Sequence, residues 1–437
     1  MRRNVLLLQG PVGPFFSRFA DELESRGFHV TKVNFNGGDA FFYRRGGALD
    51  YTGKLEDWEA WLDRLLVNRD IGRIYLFGDC RAYHRIAREV ARRRKVRIFV
   101  FEEGYIRPNF ITLEEHGVNG YSMLMQRPLS IDIRDVTLPR EKSAPSRVFH
   151  VAAIYSMIYY WASAFRRKRF SHYRHHRPFH VVSEGFRWLV SGWRKQRYAR
   201  RQKHFFDELL PQFDGNYFVV PLQVHCDMQV VVHSDYNSIE HFIGEVLDSF
   251  CRHAPDNKAI VFKHHPMDRG YTDYSALFDN LVGELGLAGR VFYVHDVDLP
   301  QLLRHAEGSI LINSTVGLSS LFHGTPVKVL GKAIYDIPGL TAQEELAEFW
   351  SSTKRVDAEF YGEFRKWLVQ RNQLNGNLYR RIDTTTATGI VWSEELAEAH
   401  SWSEASEDVS LPPRLTVIDG GVGRGSRHDR SGGAEAA

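Results

Sequence analysis

A lysine and two histidines close an apolar, β-prone run in residues 259–270, AIVFKHHPMDRG. Pro266 disfavours the helical conformation for the residue before it, so His265 is expected to be extended at the end of a strand. An imidazole donates a hydrogen bond to a phosphate oxygen, and an ammonium group neutralises its charge. Lys263 and His265 are therefore candidate ligands for an anionic group. The alternative is a loop histidine that binds nothing.

A second polar cluster follows the apolar run GSILIN. Asn313, Ser314 and Thr315 lie where a strand is predicted to end and a helix to begin. Hydroxyl groups and free backbone N–H groups at a helix N-terminus form an anion site. Gly317 is predicted to let a ligand approach the backbone closely. The alternative is a helix cap without a ligand.

A polar island from Gln223 to Gln229 interrupts two apolar segments, and Asp227 lies within it. A carboxylate that neighbouring amides hold in place can act as a nucleophile towards the electrophilic carbon of a sugar. The alternative is a turn aspartate. The island thus supplies a candidate nucleophile in the second half of the chain.

An acidic pair, Glu102 and Glu103, ends a buried strand in the first half of the chain, and Arg107 follows shortly after it. A carboxyl group at the edge of a cleft can have a raised pKa and exchange a proton. Arg107 either binds a substrate carboxylate or forms a structural pair with a glutamate. Two carboxylates that meet over one substrate from opposite domains suit sugar transfer.

Other reaction classes lack their sequence patterns. The chain contains no GxxxxGK[ST] phosphate loop, no HExxH metal motif and no GxSxG nucleophile turn. His172, His175 and His176 belong to a basic run that resembles a surface, not a metal cage. The three scattered cysteines do not form a disulfide framework. We therefore expect no metal, no cofactor and a reducing, cytoplasmic environment.

Short apolar strands alternate with amphipathic helices along the chain. Residues 28–35, 73–79 and 96–104 are strand-like, as are residues 4–8, whose apolar run is too short for a signal peptide. The same alternation returns after Gly215. The pattern predicts an α/β fold with two doubly wound, Rossmann-like sheets whose strand ends carry the ligands. Gly10, in the QGPVG turn after the first strand, is a supporting residue at that edge.

A chain of 437 residues is too long for one ordinary core, so two domains are expected. From about residue 401 the composition is rich in Ser, Glu, Gly and Arg, which does not support a packed core. We predict five segments: a first Rossmann-like domain (1–145), an aromatic and basic helical insert (146–210), a second Rossmann-like domain (211–345), C-terminal helices that cross back (346–400) and a disordered tail (401–437).

The insert begins with an apolar, aromatic stretch from Val148 to Phe165 and continues with basic runs to residue 204. Aromatic residues beside clustered arginines suit helices that lie on an anionic membrane surface. The stretch is too short and polar to predict a transmembrane helix. The alternative is an internal helix pair with a solvated basic face. A net charge of +4 does not indicate nucleic-acid binding.

Several of these segments occur together in one known family. The chain contains, in the family's order, QGPVGPFF, KVNFNGGD, LFGDCR, FEEGYIRPNFITLE, PLQVHCDMQ, KHHPMDRGY, YVHD and NSTVGLSSLFHGTPVKVLG. It resembles the capsular polysaccharide biosynthesis and export proteins of the KpsS/LipB type over residues 4–375. The predicted tail is not covered by the resemblance.

This resemblance implies a GT-B-like, metal-independent glycosyltransferase without a cofactor. The donor would be CMP-β-Kdo, bound by the second domain. Kdo would pass, with retention, to a lysophosphatidylglycerol acceptor on the first domain, starting the poly-Kdo linker of a capsule. The protein would lie on the cytoplasmic face of the inner membrane. Candidate partners are the KpsC-type transferase that extends poly-Kdo and the capsule export machinery, with no nucleic acid.

The resemblance also assigns roles to single residues. The positions that match are the proposed nucleophile Asp227, the acidic residue Glu103, the His-Pro histidine His265, and Ser314 and Thr315 of the nucleotide-sugar loop. The acidic pair is Glu-Glu here, where the related KpsC-type enzymes have Glu-Asp, so Glu102 is the alternative acid/base. At position 229 this chain has glutamine, where the related KpsC-type enzymes have a small residue.

Two other functions fit the same sequence. One is a capsule export component that binds glycolipid without catalysis. The other is a GT-B transferase that uses a different nucleotide sugar, such as CMP-sialic acid or a UDP-sugar. Transfer of Kdo to a lyso-lipid distinguishes the first alternative, and a panel of donors distinguishes the second.

Overall fold

The structure, a computed structural model, describes residues 3–125, 140–175 and 181–392. The tail predicted at 401–437 lies outside the described residues. The strands are β1 Asn4–Leu7, β2 His29–Asn34, β3 Ala48–Asp50, β4 Ile71–Phe77, β5 Arg97–Glu103, β6 Phe110–Glu115, β7 Tyr217–Pro221, β8 Ala259–Lys263, β9 Val291–Val294, β10 Gly308–Leu311, β11 Val327–Val329 and β12 Gln373–Asn375.

The α-helices lie mostly between these strands. They are α1 Phe15–Ser25, α2 Gly37–Phe42, α3 Trp58–Asn68, α4 Ala82–Arg93, α5 Val148–Phe165, α6 Val181–Arg201, α7 Phe205–Phe213, α8 Met228–His233, α9 Ile239–His253, α10 Ser275–Glu284, α11 Leu299–His305, α12 Val316–Phe322, α13 Leu346–Phe349 and α14 Ala358–Arg371.

Two sheets organise the chain. The first has seven strands in the order β12-β6-β5-β4-β1-β2-β3, and the second has five in the order β11-β10-β7-β8-β9. All pairings in the second sheet are parallel, whereas β6 pairs antiparallel with both β5 and β12. The prediction of two parallel-rich α/β sheets is confirmed, and a GT-B-like fold is built from two such units.

Helices cover both faces of each sheet, and β8 shows why its sequence is a continuous apolar run. Ile260 and Phe262 belong to the core cluster on one face, while Ala259 and Val261 belong to the cluster on the other. Successive strand residues point to opposite faces, so burial on both faces requires apolar residues at every position. Removing one such large side chain from water contributes about 1.5–3 kcal/mol.

The helix α9 illustrates how the covering helices form. Its buried residues recur at helical spacing, so one stripe faces the sheet: Ile239, Phe242, Ile243, Val246, Leu247 and Phe250. The Oγ of Ser238 caps the helix by accepting a hydrogen bond from the backbone N–H of His241 at 3.2 Å. This helix fixes the position of β7 and β8, whose C-terminal ends carry the candidate site residues.

The insert packs against α2 of the first domain through two adjacent glycines of that helix. A Cβ on Gly37 would overlap the carbonyl oxygen of Ala162, and one on Gly38 would lie 2.5 Å from the ring of Tyr159. The absence of side chains therefore lets α5 approach α2 closely. The buried Tyr159 hydroxyl donates to Asp39 Oδ1 at 2.9 Å and accepts from the Asn36 amide at 2.7 Å.

The opposite faces of the insert helices are apolar and exposed. These residues are Phe149, Ile154, Met157, Trp161 and Phe165 on α5, and Phe186, Trp188, Leu189 and Trp193 on α6. By length and composition, α5 is the one helix among the described residues that is compatible with a membrane span; its mean hydropathy is 1.2 and 6% of it is buried. The hydrogen bonds of Tyr159 nevertheless attach α5 to the first domain.

Three strands were not expected from the sequence. β3, β6 and β12 are short or antiparallel, and β12 reaches the first sheet from the far end of the chain. The C-terminal segment thus crosses back as predicted, but a strand after α14 completes the crossing where helices were expected. The residue boundaries of the five predicted segments stay predictions.

Candidate functional site

Asp227 lies at the N-cap of α8 and is held by two donors. Its Oδ1 accepts from the backbone N–H of Gln229 at 2.9 Å, and its Oδ2 accepts from the side-chain amide of Gln223 at 3.2 Å. Gln223 is buried, whereas Asp227 is partly exposed. The carboxylate is thus fixed in orientation without being closed off from a ligand.

Asn313 joins the same cluster from the neighbouring strand. Its Oδ1 accepts from Gln223 Nε2 at 3.0 Å, and its backbone N–H donates to Gln223 Oε1 at 3.2 Å. Its side-chain amide donates to the carbonyl oxygen of Gln229 at 2.9 Å. The ends of β7 and β10 and the start of α8 therefore share one hydrogen-bond network. The sequence-predicted residues Gln223, Asp227, Gln229 and Asn313 are brought together by it.

Lys263 and His265, at the end of β8, have different surroundings. Lys263 is 8% exposed, and its Nζ donates to the carbonyl oxygen of His295 at 3.1 Å. Burial lowers the pKa of Lys263, which the nearby Asp296 carboxylate partly offsets. The ammonium group is therefore engaged within the sheet, and the expectation that it faces a ligand is not met in this geometry.

His265 is the residue of this group that is placed for a ligand. Its Nδ1 accepts from the backbone N–H of Met267 at 3.2 Å, so the neutral ring carries its proton on Nε2. Burial lowers the pKa of His265 to about 4, against the opposing charges of Asp268 and Asp227. The ring is therefore a neutral hydrogen-bond donor at physiological pH. Pro266 begins a short 3-10 turn directly after it.

The NST segment leads into α12, which begins at Val316. The Oγ of Ser314 accepts from the backbone N–H of Val316 at 3.2 Å, while Thr315 makes no side-chain cap. A Cβ on Gly317 would lie 2.5 Å from ring carbons of the buried Tyr335. The close approach that requires glycine here is therefore made by Tyr335, whereas the sequence predicted a ligand. The packing of Tyr335 therefore explains why residue 317 is a glycine.

Gly10 has a similar explanation at the end of β1. A Cβ there would lie 2.7 Å from the ring of Phe16, which belongs to the core of the first domain. The glycine allows this ring to pack against the turn. Its predicted supporting role is therefore a packing role in this structure.

The two glutamates at the end of β5 have different surroundings. Burial, together with the charges of Glu103 and Asp79, raises the pKa of Glu102 to about 7. The backbone N–H of Glu103 donates to Glu102 Oε1 at 3.0 Å. Glu103 instead accepts from the hydroxyl of Tyr379 at 2.9 Å. Adjacent strand residues point to opposite faces, which separates the two carboxyl groups.

The segment after these glutamates reaches the second domain. Tyr105 belongs to a core cluster with Leu311 and Leu318 of the second domain. The Nε of Arg107 donates to the carbonyl oxygen of Gly104 at 3.2 Å, and the described residues include no ion pair between Arg107 and a glutamate. Its positive charge contributes to the lowered pKa of His265. Arg107 therefore lies within electrostatic range of the histidine across the domain boundary.

A second contact between the domains was not predicted. His233, at the end of α8, packs edge-on against Tyr121 with ring centroids 4.5 Å apart, and its Nε2 lies 3.8 Å from Cys80 Sγ. A Cβ on Gly120 would overlap the imidazole of His233. Burial lowers the pKa of His233 to about 4. The LFGDCR segment indicated from the sequence that Cys80 follows a strand end. Only the fold shows that His233 is its neighbour.

Among the described residues, no group of three histidine, cysteine or acidic side chains could hold a metal ion. The candidate groups are the held carboxylate of Asp227, the neutral imidazole of His265 and, at the end of β5, two carboxyl groups with different environments. Groups of these types can support nucleophilic attack, stabilisation of a leaving phosphate and proton exchange.

Comparisons with known proteins identify the family of this chain. A family model described as capsule polysaccharide biosynthesis protein matches residues 73–379. The chain therefore belongs to the capsule polysaccharide biosynthesis protein family. It is 42% identical over 379 residues to the capsule polysaccharide export protein KpsS of Escherichia coli, covering 86% of this chain and 97% of that protein.

Two further matches are a curated relative and a solved structure. The capsule polysaccharide modification protein LipB of Neisseria meningitidis serogroup A is 39% identical over 386 residues, covering 87% of this chain and 92% of that protein. Among solved structures, the β-Kdo 2,7-transferase KpsC of Thermosulfurimonas dismutans matches 83% of this chain and 99% of its own chain. That match has 16% identity and a TM-score of 0.37.

Proposed function

We propose that this protein is a retaining glycosyltransferase that moves Kdo from CMP-β-Kdo to a lysophosphatidylglycerol acceptor and so starts the poly-Kdo linker of a capsular polysaccharide. Membership of the capsule biosynthesis family supports the pathway. The single observation that carries the reaction type is the held carboxylate of Asp227 at the strand ends of the second domain.

In the first step, a carboxylate oxygen of Asp227 attacks the anomeric carbon of Kdo, and the bond to the phosphate of CMP breaks. Gln223 and the backbone N–H of Gln229 orient the attacking group. The Nε2–H of His265 and the guanidinium of Arg107 donate to the departing phosphate. The KHHP segment thus contributes through its second histidine.

In the second step, a carboxylate removes the proton from the acceptor hydroxyl, whose oxygen displaces Asp227 from the anomeric carbon. Two inversions give net retention. We assign this base to Glu103, which Tyr379 orients by its 2.9 Å hydrogen bond. Glu102 is the alternative, because burial raises its pKa to about 7, near the value expected for an acid/base at neutral pH.

The same proposal places the protein on the cytoplasmic face of the inner membrane. The exposed aromatic residues of α5 and α6 are accompanied by basic residues from 166 to 201, which fits an anionic lipid surface. Flotation with vesicles that contain anionic lipid should carry the protein to the top of a gradient. A protein that stays at the bottom at low salt refutes this part.

The reaction is tested by incubating the purified protein with CMP-Kdo and a fluorescent lysophosphatidylglycerol. Mass spectrometry should show addition of Kdo to the lipid, and NMR of the product should show a β-linkage. A panel with CMP-sialic acid and UDP-sugars tests the donor. If neither product nor released CMP forms while the lipid still binds, the protein is a non-catalytic glycolipid-binding component.

A further inference from the structure

A basic cavity lies beside Glu103, on the first domain. It has a volume of about 870 Å³ and lies between α5, α1 and the segment after β12. Four arginines and a histidine line it: Arg18, Arg147, Arg380, Arg381 and His150. None of these residues belongs to a motif that the proposed reaction uses.

The positive charge in this cavity is not balanced by nearby carboxylates. In the described part of the chain, none of the four guanidinium groups forms an ion pair with an acidic side chain. Arg18 donates to the carbonyl oxygen of Leu378 at 3.2 Å, and Arg380 donates to that of Ser146 at 2.5 Å. The Nε of Arg18 is buried without a hydrogen-bond partner. Unpaired guanidinium groups around a cavity are suited to bind a phosphate.

One wall of the cavity is apolar. Val151 and Ile154 of α5 line it together with Tyr155. Ile154 is also 48% exposed and, at helical spacing, begins the exposed stripe that continues through Met157 and Trp161. The cavity therefore opens onto the apolar surface that we propose lies against the membrane. A ligand with a phosphate at one end and an acyl chain at the other matches both walls.

The cavity also connects to the proposed base. Tyr379 lines it and donates its hydroxyl hydrogen to Glu103 Oε1 at 2.9 Å. A hydroxyl group on the ligand beyond its phosphate would therefore lie next to the Tyr379–Glu103 pair. An acceptor alcohol requires a base next to its hydroxyl group, and Glu103 would supply it.

We propose that this cavity binds the phosphate headgroup of a lyso-phospholipid acceptor, with the acyl chain along α5 and the free hydroxyl group directed towards Glu103. The assignment of the ligand as acceptor rests on the proposed transferase function. The binding of an anionic lyso-lipid at these arginines does not depend on it.

Binding is measured first, without a donor, by titrating the full chain with short-chain lysophosphatidylglycerol below its micelle concentration. Arg147→Ala and Arg380→Ala should each weaken binding about tenfold, since each removes a charge-assisted contact. Arg64→Ala, on the exposed face of α3, is the matched control and should leave affinity unchanged. Circular dichroism and thermal unfolding establish that each variant folds.

Three further ligands identify what the cavity recognises. Glycerol 3-phosphate should bind much more weakly than the lyso-lipid, and an uncharged monoacylglycerol should not depend on Arg147 or Arg380. Ile154→Ser should weaken binding of the lyso-lipid but not of glycerol 3-phosphate. Equal affinity for glycerol 3-phosphate overturns the lipid assignment, as does competition by CMP, which would place the donor here.

Transfer is measured separately to distinguish the two proposals. If Kdo transfer occurs and the Arg147 and Arg380 variants raise the acceptor KM with little change in donor KM, both proposals stand. If transfer occurs but neither variant changes the acceptor KM, the cavity is not the acceptor site. If no transfer occurs while arginine-dependent lipid binding persists, the cavity assignment stands and the transferase proposal fails.

Discussion

Replacement of Asp227 by asparagine tests the proposed nucleophile with little structural change. Asparagine is as good an N-cap residue as aspartate, so its side-chain oxygen can still accept from the backbone N–H of Gln229, now 2.9 Å away. The asparagine NH2 group then takes the place of Oδ2 and faces the Gln223 NH2 group, so the 3.2 Å hydrogen bond from Gln223 is lost, which costs about 1–3 kcal/mol. The variant should therefore remain folded, because domains are stable by roughly 5–15 kcal/mol.

The effect on chemistry should be far larger than the effect on stability. An amide cannot form the covalent glycosyl intermediate, and loss of a nucleophile lowers turnover by several orders of magnitude in comparable enzymes. We expect the rate of Kdo transfer by Asp227→Asn to fall at least about 1,000-fold, which corresponds to about 4 kcal/mol of transition-state stabilisation. Product is measured by mass spectrometry, and urea unfolding is measured on the same preparation.

Asp357→Asn provides the matched control. Asp357 caps α14 by accepting from Glu359 and Phe360 backbone N–H groups at 3.0 and 2.9 Å, outside the candidate site. This control should change the transfer rate by no more than a few-fold and the free energy of unfolding by no more than about 1 kcal/mol. Turnover by Asp227→Asn within tenfold of the unmodified protein, with CMP still bound, would remove Asp227 from the role of nucleophile.

Three other changes test the surrounding structure. The pKa of Glu102 is raised from 4.5 to about 7, so between these pH values the folded state binds the proton more tightly than the unfolded chain does. The free energy of unfolding should therefore fall by about 3 kcal/mol as the pH rises from 4.5 to 7. Glu102→Gln should remove this part of the pH dependence in urea unfolding, and an unchanged profile contradicts the buried environment. Tyr159→Phe should cost about 2–4 kcal/mol because its hydroxyl serves three buried partners; a loss below 1 kcal/mol in the same assay argues against the docking of α5. Gly317→Ala should cost about 1–3 kcal/mol by overlap with Tyr335, and normal stability with weakened CMP binding would restore its role as a ligand contact.

The sequence determined most of the local structure. The three central strands of the second sheet, β7, β8 and β10, are largely apolar runs because they are buried on both faces, and this pattern is visible without coordinates. Polar residues at the ends of such strands marked the site, since ligands of open α/β sheets bind at that edge. Asp227, Asn313 and His265 were proposed as site residues in this way, from their residue types and their positions after strands.

The sequence did not determine which strand-end side chains are free for a ligand. Lys263 and His265 are two residues apart, yet one donates to a carbonyl oxygen within the sheet and the other keeps a ring N–H. Gly317 has the residue type that a ligand contact requires, but Tyr335 occupies the space. Such outcomes depend on residues distant in sequence.

The tertiary structure alone decided which segments meet. β12 pairs with β6 although more than 250 residues separate them, as the hydrogen bond between Gln373 and Thr112, 261 positions apart, shows. The same return of the chain brings Tyr379 to Glu103 and two arginines to the cavity beside it. A hydrophobic pattern predicts whether a position is buried, because burial depends on how one side chain interacts with water. It does not predict which distant residue will contact that position, because such contacts depend on the packing of the whole chain.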